Sequence, residues 1–495
     1  MRMLLWPSLE IFSRLFPAGM ACCTTFSPHK MSSALRFFSF RLLSSSTFDR
    51  MGADLKFKVT RQEAVLVAPC LPTPKEHLYL SNIDDQAGLR FHIPVAFFYK
   101  HSYLKEDQDP AKIIRKALEK VLVHYYPLAG RLREAASGKL KVECTGEGVL
   151  FVEADADVTL AEFGDLHPPF PCWDDLLHDI LTPQTLINSP LLLIQVTRLK
   201  CKGFIFAIVM NHIIMDGMGL AQFLTALGEI AMGASGMSIL PVWKRETLKP
   251  RLKPSISLPL YEYEEDEGKI MSVDVDKLSH ASYFFGPKEI ETLKRRACMK
   301  SSTFEALSGF LWRLRTKALN MAVEQEVRFM FPLEIRSTFE PPLPRGYYGN
   351  AIVFACAKTT AGMLLNNSLS YAVELIIKAK TVVNNEYICS VIDLMEIKGH
   401  SHFTVVGSFM VSDITKIQFR DVDFGWGKAI YGGPTTGGAG VVPGVLTFFI
   451  PYRNSNGVEG KLVPICLPSH AMQKFQLELA QAMENEAHPF ISSSI

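Results

Sequence analysis

The sequence predicts an α/β protein of two domains, and three observations lead to this expectation. The chain has 495 residues, 48% of them hydrophobic, and a mean hydropathy of +0.13, which excludes disordered and fibrous classes and allows more than one core. Apolar segments with strand character alternate with segments of helical periodicity. A stretch rich in proline and charge at 241–268 interrupts this alternation. We therefore expect domains at 51–240 and 269–495, joined by a crossover linker at 241–268.

Residues 1–50 differ in composition from the rest of the chain. They contain six basic and only two acidic residues, with many serines and phenylalanines, a pattern typical of organellar transit peptides. The alternative, which we favour, is an upstream extension of a gene model, because Met31 and Met51 offer later starts and regular patterning begins only after Met51. We expect a cytoplasmic protein, and an organellar one only if this leader is real.

Charge and cysteine usage exclude several classes of function. The net charge of +2 is spread along the chain, so no basic stripe indicates nucleic-acid binding. The ten cysteines form no C-x-x-C pair, which leaves zinc ligation and thioredoxin chemistry without support. We expect these cysteines to be reduced, buried and inert. Apolar runs end well short of the roughly 18 residues of a membrane helix, so we predict no membrane span. We also predict no metal site, since the cysteines have no metal-binding spacing.

In the first half, three elements can be placed. Asp109 and Pro110 are the expected N-cap and first residue of a helix that ends before Pro127. The continuous apolar run 203–210 is typical of a strand buried on both faces. An amphipathic helix is predicted over 219–231. Polar residues between this strand and helix would lie where functional sites are common.

The second half contains further helices and an acidic run. Ser302 and Glu305 form a capping box for a helix over 303–319, and a last helix is predicted over about 469–486. The acidic residues between 262 and 267 lack the spacing of a calcium loop, so we interpret them as a solvated loop.

Two motifs carry the candidate chemistry, since nucleophile-elbow, P-loop and intact dinucleotide-binding patterns are absent from the sequence. His212 follows the buried strand and has Asp216 four residues on. Thirteen histidines should give about half such an H-x-x-x-D match by chance, so a structural histidine remains an equal alternative. The second motif, DFGWG at 423–427, could be a functional loop or simply a tight turn with a core tryptophan.

Together, HxxxD at 212–216 and DFGWG at 423–427 resemble the signature pair of the plant BAHD acyl-CoA-dependent acyltransferases. The resemblance extends from about Lys56 to Met483. Further strings are similar to the branch with alcohol acyltransferases and benzyl alcohol O-benzoyltransferases: LSNIDDQ (80–86), YYPLAGRLR (125–133), GEGVLFVE (146–153), SPLLLIQV (189–196), ILPVW (239–243), GYYGN (346–350) and LVPICLP (462–468).

The resemblance implies a fold and a reaction. The fold would be two chloramphenicol-acetyltransferase-like α/β domains with a mixed sheet and helices, and an active-site channel at the domain interface. About 423–447 could pack with the first domain. Acyl-CoA would be a co-substrate with no permanently bound cofactor, and the protein would be a monomer. A histidine with a pKa near neutrality suits proton transfer from an alcohol, so His212 is the candidate general base, with no acyl-enzyme.

The other candidate residues are assigned with alternatives. Asp216 could orient His212, but the resemblance implies that it faces away and pairs with Arg336, which is the role we favour. Asp423 is a weak second catalytic candidate, and Trp426 could donate its indole N–H near an oxyanion. The loop glycine Gly425 is expected to be structural.

For coenzyme A we propose a site at the N-terminus of the helix after Ser302, where free N–H groups and Lys300 favour phosphate. Lys428, beside Trp426 and Gly427, could add charge. The alternative is that both lysines are ordinary surface residues.

The sequence thus predicts an acyl-CoA:alcohol O-acyltransferase, with acetyl or benzoyl as the acyl group and a small aliphatic or benzylic alcohol as the acceptor. One alternative is a hydroxycinnamoyl-CoA-dependent enzyme with another acceptor such as shikimate. The other is a catalytically weak CoA-binding paralogue, because Ile213-Ile214-Met215 and Gly217-Met218 depart from the residues usual in this branch.

Overall fold

Two large mixed β-sheets carry the fold. The computed structural model describes residues 55–170, 173–177, 186–265, 278–399, 401–437 and 444–484, all within the compact unit Arg50–Ile495. The predictions about residues 1–50 lie outside the described residues.

The first sheet has seven strands in the order β1-β7-β8-β9-β4-β14, with β2 also paired to β7. Only the β7–β8 pair of this sheet is parallel among the described pairings. Its strands are β1 (Val59–Arg61), β2 (Val65–Val67), β4 (His92–Tyr99), β7 (Val149–Ala156), β8 (Leu192–Leu199), β9 (Phe204–Asn211) and β14 (Tyr431–Pro434).

The second sheet has six strands in the order β10-β16-β15-β13-β11-β12, with parallel β11–β13 and β13–β15 pairs. Its strands are β10 (Leu278–Phe285), β11 (Glu326–Glu334), β12 (Ile352–Thr360), β13 (Ser408–Asp413), β15 (Leu446–Arg453) and β16 (Glu459–Pro468). A small third sheet consists of β3 (His77–Tyr79), β6 (Leu140–Glu143) and β5 (Arg131–Glu134).

Helices cover both large sheets. Helices α1 and α3 pack together beside the first sheet, and α5, α7 and α9 pack beside the second. No helix in the described part of the chain combines the length and apolarity that crossing a membrane requires. The helices are α1 (Pro110–His124), α2 (Trp173–Leu176), α3 (Gly217–Ala231), α4 (Pro287–Arg296), α5 (Thr303–Ala318), α6 (Ala361–Asn366), α7 (Leu369–Val382), α8 (Asn385–Lys398) and α9 (Ser469–Glu484).

The structure confirms the elements predicted from periodicity and capping. The Asp109 side chain caps α1, β9 is buried along its whole length, and the Ser302–Glu305 capping box is present at α5. Helix α3 begins at 217, two residues earlier than predicted, because Asp216 is its N-cap. The end predicted for the last helix, at about 486, lies outside the described residues.

Two expectations are wrong. The acidic run is not simply a solvated loop, because Glu262 is fully buried and receives the Tyr387 hydroxyl at 2.6 Å. Burial raises the pKa of Glu262 to about 8, against the opposing effect of this hydrogen bond. The cysteines are not all buried either, since Cys70 and Cys298 are exposed.

A strand from the second half of the chain completes the first sheet. β14 pairs with β4 in antiparallel register, with Tyr431 opposite Phe98 and Pro434 opposite Val95. The segment after DFGWG therefore packs with elements of the first half. The domain boundaries at 51–240, 241–268 and 269–495 stay a prediction.

Candidate active site

His212 lines a cavity of about 560 Å³ between the two large sheets. The first sheet contributes Ile93 and Met210, and the second contributes Met330 and Phe354. The lining is mostly apolar, with a few charged and polar groups, which is the usual composition of a small-molecule site.

The His212 side chain lies directly after β9 and is only partly exposed. Its backbone N–H donates to the Phe91 carbonyl at 2.9 Å, and the two rings are 5.3 Å apart. Burial lowers the pKa of His212 below its ordinary value of 6.5, although the nearby carboxylates of Asp216 and Asp84 act in the opposite direction. The imidazole is therefore neutral at neutral pH, which is the form that can accept a proton.

Asp216 lies at the opposite end of the 212–216 loop and is committed to other partners. One carboxylate oxygen accepts from the Gly219 N–H and from Arg336 Nη2, both at 2.9 Å. The other accepts from Arg336 Nη1 at 3.0 Å and from the Ala351 N–H at 2.9 Å. The predicted pairing with Arg336 is thus present, and the geometry favours a structural role for Asp216.

A second set of contacts to this loop was missed in the sequence. Asn350 Nδ2 donates to the His212 carbonyl at 2.8 Å, and Arg245 Nη2 donates to the Ile214 carbonyl at 2.7 Å. Both residues also bind Asp84 Oδ1, Asn350 through the same Nδ2 and Arg245 through Nη1. Asp84 and Asn350 lie in LSNIDDQ and GYYGN, two of the strings that are similar to the alcohol acyltransferase branch. That similarity was the only signal in the sequence that pointed to these two residues. Arg245 lies in the supposed linker, and its burial had no local signal.

The DFGWG residues pack against β4, β9 and α3, and the cavity lining found among the described residues includes none of them. Phe424 is fully buried beside Phe206 of β9, and Trp426 packs on Phe204 with 5.4 Å between the rings. Asp423 accepts from the Gly425 and Gly427 N–H groups at 2.7 and 2.9 Å. The loop thus packs against β9, the strand that His212 directly follows, and this geometry favours a structural role.

Comparisons with known proteins agree with these motifs. A model of the transferase family matches residues 57–482. The chain belongs to the BAHD transferase family. Benzyl alcohol O-benzoyltransferases from Nicotiana tabacum and Petunia hybrida are each 52% identical over 443 residues, which is 88% of this chain and 96% of theirs. (Z)-3-hexen-1-ol acetyltransferase of Arabidopsis thaliana is 45% identical, over 86% of this chain and 95% of its own.

Solved structures show the same BAHD fold. Vinorine synthase gives a TM-score of 0.68 at 20% identity, over 86% of this chain and 98% of its own. TRI101 of F. sporotrichioides, complexed with coenzyme A and T-2, gives a TM-score of 0.66 at 16% identity, over 82% of this chain and 98% of its own. The expectation of a chloramphenicol-acetyltransferase-like α/β fold with mixed sheets and helices is confirmed, and the channel at the domain interface stays a prediction.

The candidate CoA residues of this BAHD protein lie away from the cavity lining. Lys300 is exposed, just before α5. The N–H of Ser302 already donates to Glu305 Oε2 at 2.7 Å, so a carboxylate occupies part of this helix N-terminus. Lys428 pairs with Asp421 at 2.7 Å. The structure does not bring Lys300 and Lys428 to the His212 cavity.

The residues that depart from the usual branch pattern have two different environments. Ile213, Ile214 and Met215 are fully buried and so belong to the core, whereas Gly217 and Met218 line the cavity. A Cβ atom at Gly217 would lie 2.5 Å from Ile417 Cδ1. The unusual loop sequence thus alters the cavity wall only at 217 and 218.

Proposed function

We propose that this BAHD protein transfers an acyl group from coenzyme A to the hydroxyl of a small alcohol, with His212 as the general base. The observation that carries the proposal is the neutral, partly exposed imidazole in a mostly apolar cavity between the two sheets. The relatives that share about half of its residues are named as benzoyl and acetyl transferases to alcohols.

In the proposed reaction, the His212 ring takes the hydroxyl proton as the alcohol oxygen attacks the thioester carbonyl. The carbon–sulfur bond then breaks, and the imidazolium gives its proton to the departing thiolate. Ester and free CoA leave, and the histidine returns to its neutral form. No covalent intermediate with the protein is needed.

Benzoyl or acetyl donors and aliphatic or benzylic alcohols suit the lining best. Side chains such as Phe91, Met330, Phe354 and Phe403 offer apolar contact to an aryl or alkyl group. The cations that line the cavity include Arg336, which is already paired with Asp216, and the exposed Lys416.

The test uses the purified full-length chain with acetyl-, benzoyl- and hydroxycinnamoyl-CoA against a panel of alcohols, following thiol release and ester mass. We expect ester from acetyl- or benzoyl-CoA with small or benzylic alcohols. Ester only from hydroxycinnamoyl-CoA and a polar acceptor would support the alternative substrate class. No ester with any pair would support the weak paralogue and contradict the proposal.

We also keep Lys300 as a proposed phosphate contact for coenzyme A, supported by its position before α5. Lys300→Ala should raise the KM for acyl-CoA, whereas Lys288→Ala, an exposed control on α4, should not. Equal KM values in both variants would contradict it. The monomeric state and the cytoplasmic location stay predictions.

A further inference from the structure

A fully buried ion pair lies behind the loop that carries His212. Arg245 Nη1 is 3.0 Å from Asp84 Oδ1, and the two side chains are 1% and 0% exposed. Asp84 also accepts from the Ser81 N–H and hydroxyl at 3.0 and 2.6 Å. A buried ion pair is weak evidence for stability, because removing two charges from water offsets much of their attraction, so its geometry is the more informative property.

The ion pair reaches the His212 loop by two routes. Arg245 Nη2 donates to the Ile214 carbonyl at 2.7 Å. Asn350 Nδ2 donates to the His212 carbonyl at 2.8 Å, and both the Nδ2 and the N–H of Asn350 donate to Asp84 Oδ1, at 3.0 and 2.9 Å. The carbonyls on both sides of Ile213 are thus held by groups anchored on one carboxylate.

The surroundings of the Arg245 guanidinium fit an arginine side chain. Its Cζ lies 4.4 Å from the Trp243 ring centre and 5.2 Å from the ring centres of Tyr347 and Tyr348. Gly349 leaves the space for it, because a Cβ there would be 1.1 Å from Nη1. A planar group that donates in two directions fills this site, and a lysine ammonium would not make both bonds in the same geometry.

We propose that Asp84, Arg245 and Asn350 are positioning residues that hold the His212 end of the loop in register for proton transfer. Arg336 and Asp216 hold the other end, so the loop is fixed at both ends. Displacing a catalytic group by about 1 Å can cost about 100-fold in rate, which is the scale on which such positioning matters. This inference rests on the proposed acyl transfer.

The test compares two arginines of the same segment that each bind a buried aspartate. Arg245→Lys keeps the charge beside Asp84 but loses the second bond to Ile214. Arg251→Lys is the matched control, because Arg251 Nε binds the fully buried Asp393 at 2.6 Å and Arg251 does not line the cavity. Steady-state kcat and KM for acyl-CoA and alcohol, and the melting temperature, are measured on the full-length chain.

We expect Arg245→Lys to lower kcat by at least about tenfold, with both KM values within about twofold of wild type. Arg251→Lys should lower the melting temperature without lowering kcat. If Arg245→Lys does not fold, Asn350→Ser, which removes the bond to the His212 carbonyl, should show the same effect on kcat.

A kcat for Arg245→Lys equal to that of the control, or a change only in KM, would overturn the positioning role. So would recovery of both Arg245→Lys and Asn350→Ser only as unfolded protein, because the pair would then serve folding. A wild type that forms no ester overturns the proposed function instead, whereas an active wild type with unaffected variants overturns this inference alone.

Discussion

Arg336 binds Asp216 through two hydrogen bonds, of 2.9 and 3.0 Å, one to each carboxylate oxygen. The same carboxylate caps α3 through the Gly219 N–H. Asp216 thus joins the loop after β9 to the residues around Ala351 before β12. In this arrangement both oxygens of the HxxxD aspartate bind Arg336 and backbone N–H groups, and the His212 ring is left to the proposed proton transfer.

Asp216→Asn should destabilise the fold more than it changes the chemistry. Breaking this nearly buried pair leaves Arg336 without its main partner, and we expect the free energy of unfolding to fall by about 3 kcal/mol. Denaturant unfolding measures the loss. Because the Asp216 carboxylate raises the pKa of His212, the acidic limb of kcat/KM should move only to lower pH, and the plateau value in the folded fraction should stay within about threefold of wild type.

Asp109→Asn is the matched control, because Asp109 also caps a helix and also binds an arginine, Arg198, through two hydrogen bonds at 2.8 and 2.7 Å. It should lose stability with unchanged activity. A well-folded Asp216→Asn protein whose plateau kcat/KM falls by more than about 100-fold would show that Asp216 takes part in the chemistry.

Substrate size should be sensitive to the contact between Gly217 and Ile417. In Gly217→Ala the new Cβ meets Ile417 Cδ1, which must move, and the cavity wall changes by about one methyl group. We measure two ratios of kcat/KM, one for benzoyl-CoA over acetyl-CoA and one for benzyl alcohol over ethanol. We expect at least one of them to fall by about tenfold.

Adding Ile417→Val to Gly217→Ala removes the atom that clashes, so the double variant should recover the wild-type ratios. Unchanged ratios in Gly217→Ala, or no recovery in the double variant, would show that this contact does not limit substrate size.

Asp423→Asn should act on stability. Its carboxylate orders the loop through the Gly425 and Gly427 N–H groups, and we expect a loss of about 1–2 kcal/mol in the free energy of unfolding. Activity of the folded protein should stay within about threefold of wild type, and the same holds for Trp426→Phe. A loss of kcat above about 100-fold in either stable variant would restore the catalytic role considered for this motif.

The buried Glu262 should make stability depend on pH. Its folded pKa of about 8 lies above its ordinary value of 4.5, so the native state holds a proton that the unfolded chain releases. This contribution is complete below about 4.5 and is lost as the pH rises to about 8. Unfolding free energies measured from pH 5 to 9 should fall less in Glu262→Gln than in wild type. Parallel curves would contradict the raised pKa.

Local signals in the sequence predicted much of this fold. Asp109-Pro110 and Ser302–Glu305 define helix starts through contacts within three residues, and the apolar run of β9 defines a buried strand. The position of His212 at the end of that strand followed from the same pattern.

What the sequence missed depends on partners far along the chain. The buried Arg245 binds Asp84, which lies 161 residues away in sequence. The buried Glu262 binds Tyr387, which lies 125 residues away. Composition placed Arg245 in the crossover linker and Glu262 in a solvated acidic loop. Likewise, the presence of HxxxD and DFGWG in one sequence did not indicate how far apart the two motifs lie in the fold. The DFGWG loop packs against β9 and is not part of the cavity lining.

The proposed role of His212 as the general base is tested most directly by the pH dependence of kcat/KM for wild type and His212→Ala. Because burial lowers the pKa of His212, the acidic limb of the wild-type profile should have an apparent pKa below 6.5. His212→Ala should retain its fold and lose at least about 100-fold in kcat at every pH. Ester formation by His212→Ala at the wild-type rate, with the same pH profile, would contradict the account.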